Sequence, residues 1–106
     1  MAITPHGDVY HAISEPRRRA ILELLAAEER PVQEIVGMFD VSFAAISQHL
    51  RVLREAGLVR CRRDGRSQRY RATPLALKEV YDWTAKYSVF WRGRLSRLHK
   101  YLNKQP

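Results

Sequence analysis

Asp40-Val41-Ser42-Phe43-Ala44-Ala45-Ile46-Ser47-Gln48-His49-Leu50-Arg51-Val52-Leu53 joins a tight connection to an amphipathic helix, and the rest of the chain is arranged around it. Ser42 is a good N-cap, because its hydroxyl can accept from a backbone N–H that has no partner in the first helical turn. Ile46, Leu50 and Leu53 recur at spacings of four and three, so they share one face and point to a core. Ala45, His49 and Val52 flank that stripe. The opposite face carries Phe43, Ala44, Ser47, Gln48 and Arg51. Gly57 closes the helix from the C′ position.

Upstream, residues 8–13 read as a short first helix after Pro5 and Gly7. Ser14-Glu15-Pro16 is read as a helix start, with Ser14 as N-cap and Pro16 in the first turn, where its missing N–H costs nothing. The apolar positions 20, 21, 22, 24, 25 and 26 are dense enough to predict a mostly buried second helix ending near Glu28. Pro31 opens a third, with Val32, Ile35, Val36 and Phe39 on one face and Gly37 or Asp40 at its end. Downstream, Leu58 to Arg63 predicts a strand, Asp64-Gly65 a hairpin turn and Ser67 to Ala72 the return strand. Pro74 breaks it. Leu75 to Tyr101 then reads as one helix of 27 residues, about 40 Å long at 1.5 Å per residue.

The expected fold is mainly α with a small β-hairpin. Two helices joined by a short turn and followed by a basic hairpin follow the winged helix-turn-helix plan. The 106 residues suit a single domain, 1–106, with a reader helix at about 42–56, a wing at about 58–72 and a dimerisation helix at about 75–102.

Charge is distributed along the same divisions. The net +8 is uneven: residues 1–41 hold four arginines against seven acids, 42–74 eight arginines against two acids, and 75–106 seven Lys or Arg against two acids. A basic excess that begins at the reader helix favours a polyanion, and arginine forks match phosphate and guanine. Gln48 can pair bidentately with adenine, and Arg51 with guanine or a phosphate. Small Ala44 and Ser47 let the backbone approach base edges beside Phe43, and Ser42 at the helix start can meet a phosphate. In the hairpin Arg62, Arg63, Arg66, Arg69 and Arg71 cannot all share a face, since side chains alternate. Arg63 and Arg66 flank the turn and are best placed to reach DNA. Double-stranded DNA is therefore the expected partner, ahead of a membrane.

The last helix carries Val80, Trp83, Tyr87, Phe90, Trp91, Leu95, Leu98 and Leu102 at steps near three and four, a heptad-like seam. Trp and Tyr are enriched at interfaces. With Val9, Tyr10 and Ile13 this seam is read as the surface of a homodimer formed through the first and last helices. An aromatic pocket for a hydrophobic inducer is another reading of the same residues.

These residues resemble the ArsR/SmtB-type winged-helix repressors. The resemblance runs through Ser14-Glu15-Pro16-Arg17-Arg18-Arg19-Ala20-Ile21-Leu22, Val41 to Leu53, Arg54-Glu55-Ala56-Gly57-Leu58-Val59 and Arg62-Arg63-Asp64-Gly65-Arg66, within residues 8–100. It implies a dimeric, sequence-specific repressor of its own or a neighbouring operon, bound to a pseudo-palindromic operator. The family's cysteine metal box has no counterpart in Arg30-Pro31-Val32-Gln33-Glu34-Ile35-Val36, and Asp82 and His99 are too far apart for the family's last-helix metal set. A dithiol switch needs two cysteines, and Cys61 is alone.

No metal or other cofactor is expected, and no inducer is assigned. His6, Asp8 and His11 form a weak candidate metal set, and His49 is expected to be a satisfied core or interface residue. Cys61 is expected to be a small buried residue before a redox sensor. The chain has no paired acid–base carboxylates in a pocket, no glycine-rich phosphate loop and no nucleophile–histidine arrangement, so it is not read as an enzyme. With no signal-like or membrane-spanning apolar run, it is expected to be cytoplasmic. The competing functional class is a winged-helix module that binds a protein. A repressor released by a hydrophobic, redox or metal signal is a further variant.

Overall fold

A computed structural model of the chain describes residues 8–104. The order is α1 (Val9–Ile13), α2 (Pro16–Ala27), β1 (Arg30–Pro31), α3 (Val32–Gly37), α4 (Phe43–Glu55), β2 (Val59–Asp64), β3 (Ser67–Ala72), a 3₁₀ turn (Pro74–Leu77), α5 (Lys78–Ala85) and α6 (Ser88–Lys104). Helices α1 to α4 and the inner face of the sheet enclose one core. Its fully buried members include Ile21, Ile35, Ile46, Leu50, Leu53 and Leu58.

The α4 helix forms as its sequence dictates. Ser42 Oγ accepts from Ala45 N at 3.1 Å, and Ile46, Leu50 and Leu53 are all buried. At its other end Gly57 takes φ +78°. Leu58 N then donates to Leu53 O and Gly57 N to Arg54 O, the paired bonds of a Schellman motif.

Four local expectations are corrected. Ser14 caps the end of α1, and Glu15 is the N-cap of α2, its carboxylate accepting from Arg17 N. In α2 the buried apolar residues are Ile21, Leu22 and Leu25, while Ala20 and Ala26 are exposed. The hairpin register pairs Asp64 with Ser67, so the turn is Gly65-Arg66, one residue later than expected. Gly65 at φ +64° supplies the positive φ that a II′ hairpin needs at its first central position. The sheet also has a third strand, since Arg30–Pro31 pairs antiparallel with β3 to give the order β1-β3-β2.

The last segment is not one helix. Thr84 Oγ1 donates to Tyr81 O at 2.9 Å, competing for a helical carbonyl. Lys86 N, Tyr87 N and Phe90 N each donate to the carbonyl three residues back. This tightening separates α5 from α6 at Lys86-Tyr87. From Val89 to Lys104 every residue of α6 is exposed. Among the described residues, no helix is long and apolar enough to cross a membrane.

Candidate nucleic-acid interface

Burial of Ile46, Leu50 and Leu53 fixes the roll of α4 and turns its other face outward. Ser42, Phe43, Ala44, Gln48 and Arg51 are exposed there, and Ser47 is half-buried. Arg51 Nε stands 3.5 Å from Glu55 Oε2, a loose exposed pair that leaves the guanidinium available to another acceptor. Between α4 and the hairpin runs a groove of about 520 Å³, lined by Ser47, Leu50, Arg51, Arg54, Glu55 and Tyr70. Arg54 extends the basic edge of this groove. Its spacing of three from Arg51 and seven from Ser47 places it on the same helical face, a signal in the sequence that the reading of the reader helix passed over.

The hairpin separates its arginines by face. Val59, Cys61, Tyr70 and Ala72 pack toward the core. Arg63 lies in the same alternation as Cys61, and Gln68 in that of Tyr70, whose hydroxyl donates to Gln68 Oε1 at 3.4 Å. Arg63 and Arg66 are exposed beside the turn, and Arg63 Nε donates to Gly65 O. Arg62 and Arg69 fall on the opposite face. There Glu29 accepts from Arg62 Nε at 3.0 Å and Nη2 at 2.8 Å, and from Arg69 Nε at 3.0 Å. These two arginines, both expected at the DNA surface, are paired with the Glu29 carboxylate on that face. The Arg62 hydrogen bonds lower the Glu29 carboxyl below its ordinary value. Glu29 escaped the sequence reading because it stands 33 residues from Arg62 and 40 from Arg69.

The residues expected at a dimer surface also divide. Val9 belongs to the chain's own core, which corrects its assignment to the interface. Ile13 and Val80 are half-buried against that core. Tyr10, Trp83, Tyr87, Phe90, Trp91, Leu95 and Leu98 are exposed. Tyr10 packs edge-on against Trp83 with ring centroids 6.0 Å apart, Trp83 against Tyr87 at 5.5 Å, and Tyr87 against Phe90 at 6.2 Å. Tyr10 Oη also donates to Glu79 O at 3.3 Å. The first and last helices therefore present one continuous aromatic face. An apolar depression of about 360 Å³ lies on it, lined by Trp83, Thr84, Tyr87, Phe90 and Trp91.

The remaining candidates have structural roles. His49 is largely enclosed, with Nε2 3.5 Å from Glu15 Oε2 and Nδ1 3.4 Å from Arg18 Nη1. Asp8 caps α1 by accepting from Tyr10 N and His11 N, and His6 lies outside the described residues. Among the described residues no three His, Cys, Asp or Glu side chains cluster as a metal site. Cys61 is a free, half-buried thiol.

Comparison with known proteins agrees with this architecture. Residues 15–60 match the model of the bacterial regulatory protein, arsR family. The chain is 32% identical over 77 residues to the transcriptional repressor SdpR of Bacillus subtilis, covering 73% of this chain and 86% of that protein. It is 38% identical over 65 residues to the repressor SmtB of Mycobacterium tuberculosis, covering 61% of this chain and 48% of that protein. Among solved structures, a possible transcriptional regulator for arsenical resistance superposes with a TM-score of 0.66 at 42% identity, over 88% of this chain and 94% of that one. An ArsR-like transcriptional regulator from Rhodococcus does so at 0.66 and 29% identity, over 87% of each. The match covers the capped reader helix and the helices that bury its apolar face, and these relatives are transcriptional regulators and not enzymes: the chain belongs to the ArsR family of winged helix-turn-helix DNA-binding regulators.

Proposed function

We propose that the protein is a homodimeric, sequence-specific repressor that binds a pseudo-palindromic operator at its own or a neighbouring operon. The observation that carries this reading is the two-sided α4. One face is locked into the core, and the other exposes Ala44, Gln48 and Arg51 beside a groove edged by Arg54. Gln48 reads an adenine edge, Arg51 a guanine or a phosphate, and Phe43 with Ala44 lies against apolar base edges. Ser42 and the start of α4 meet the backbone. Arg63 and Arg66 at the wing tip contact phosphates or the adjacent minor groove.

The exposed aromatic face of Tyr10, Trp83, Tyr87, Phe90 and Trp91, continued by Leu95 and Leu98, supports a second copy of the chain as its cover. Two reader helices then occupy successive major grooves about 34 Å apart. The test is selection of duplexes from a random pool with the purified protein at physiological salt. Enrichment of a two-fold symmetric sequence, with half-sites roughly 10 base pairs apart centre to centre, is expected. Binding with no sequence enrichment overturns the reading.

A further inference from the structure

The outer face of the wing carries more positive charge than the chain neutralises. The register sets Arg60 opposite Arg71 and Arg62 opposite Arg69, all on the face turned away from Val59, Cys61, Tyr70 and Ala72. Like charges directly opposite each other on neighbouring strands repel. For Arg62 and Arg69 the repulsion is relieved by Glu29, which accepts from both. Among the described residues, Arg60 and Arg71 are exposed and form no ion pair or side-chain hydrogen bond. They line a depression of about 380 Å³ together with Glu29, Arg62 and the intervening Cys61.

We propose that this depression is a phosphate-binding site separate from the reader surface, with Arg60 and Arg71 as its ligands and Arg62 at its rim. Each guanidinium offers a planar fork of donors. A phosphate group carries more negative charge than a carboxylate and has oxygens enough for both forks. Glu29 offsets half the charge of the neighbouring Arg62/Arg69 pair, and the Arg60/Arg71 pair has no such carboxylate of its own. The bound anion removes a repulsion that the empty hairpin carries.

The site's position separates it from the DNA surface. Arg60 and Arg71 each stand five residues back from the Gly65-Arg66 turn, about 17 Å at roughly 3.3 Å per residue. They also lie across the sheet from the groove that Tyr70 shares with Ser47 and Arg51. A straight duplex seated on the reader helix and wing tip leaves them free. Their phosphate comes from a small phosphorylated molecule or from flanking DNA that bends back along the wing.

The full chain is titrated with inorganic phosphate and then pyrophosphate at constant ionic strength, following backbone amide and arginine Nε–H signals by NMR. Saturable shifts at Arg60, Arg62 and Arg71 are expected, with affinity at least tenfold lower in Arg60→Gln/Arg71→Gln and unchanged in Arg51→Gln. Shifts that fail to saturate, or equal affinity in the double variant, overturn the proposal. Should the double variant not fold, Arg71→Lys keeps the charge and loses the fork, and weaker phosphate binding is again expected.

The titration needs no DNA, so its outcome is independent of the operator reading. A second arm adds a selected duplex trimmed to its two half-sites, then one with longer flanks. Displacement of phosphate by the long duplex alone identifies the DNA backbone as the source, and retention with both identifies a small phosphorylated molecule. Displacement by the trimmed duplex overturns a separate site.

Discussion

Arg18 lies in the core at 8% exposure, the one buried charged side chain among the described residues. Its Nε donates to Ala12 O at 2.7 Å, a carbonyl that the short α1 leaves unpaired, and its Nη2 donates to His11 O at 3.0 Å, which Ser14 N and Oγ also reach. Its Nη1 meets His49 on α4. A single guanidinium thus joins the helix beside the aromatic face to the reader helix. Replacing it leaves Ala12 O without its donor and opens a hole, and an unsatisfied buried polar group costs about 1–3 kcal/mol. Arg18→Leu is expected to lower unfolding stability by about 1–3 kcal/mol on that basis, read as a lower urea midpoint with unchanged slope. A midpoint within error of the wild type counts against the role. On the exposed face of α4, Gln48→Ala makes no change to a core contact. Its expected effect is loss of base preference at one position per half-site, about 1–3 kcal/mol of discrimination, measured by repeating the selection with the variant. Retained preference at every position removes Gln48 from the reading set.

At the scale of elements, the wing is fastened to the body by Glu29, which sits just before β1 and grips Arg62 on β2 and Arg69 on β3. The Glu29 carboxyl is lowered from 4.5, first by its hydrogen bonds from Arg62, and that of Glu15 is lowered first by its bond from Arg17 N. A carboxyl lowered on folding stabilises the fold above its unfolded value and loses that contribution as pH falls through the folded one. Stability is therefore expected to decline below about pH 4.5, with a shallower decline in Glu29→Gln. Equal slopes in thermal melts from pH 3 to 6 contradict this. At the wing tip, Arg63→Ala is expected to weaken binding to all duplexes alike and to reduce the salt slope by about 1. Elements whose cause is local were legible in the sequence: the Ser42 cap, the Ile46/Leu50/Leu53 stripe and the Gly57 stop. Those that depend on distant partners were not. A two-residue strand containing Pro31 has no pattern of its own and exists because β3 offers it an edge. The break at Lys86-Tyr87 was hidden by an apolar seam that continues across it, while the backbone there follows the Thr84 hydroxyl. Ser14 and Glu15 are both acceptable caps, and the choice between them follows from where α1 ends.

The described chain is more extended than a compact chain of its length, which suits the proposed second copy. Its radius of gyration is 17.6 Å, with extents of 54 × 46 × 22 Å, against about 13 Å for a compact chain of this length. The excess comes from α6, which leaves the body with Phe90, Trp91, Leu95, Leu98 and Leu102 all exposed. It also carries Arg92, Arg94, Arg97, Lys100 and Lys104 and no acidic residue. Like charge along a helix opposes close approach of two copies, so in the proposed dimer the apolar seam has to outweigh it, and salt that screens the charges is expected to tighten the assembly. DNA binding has the opposite salt dependence, because phosphate contacts weaken as counterions compete. The two equilibria can thus be separated on one protein. Leu95→Asp places an acid in the seam without touching the core or the reader helix. Sedimentation equilibrium is expected to give a dimer for the wild type, tightening with salt, and a monomer for the variant. Linking two half-site contacts in one particle adds roughly 10²–10⁴ in affinity over either alone. The variant is therefore expected to lose at least a hundredfold in operator affinity while keeping the wild-type affinity for a single half-site. A variant that sediments as a monomer yet binds the full operator as tightly as the wild type would show that the aromatic face serves something other than a second copy.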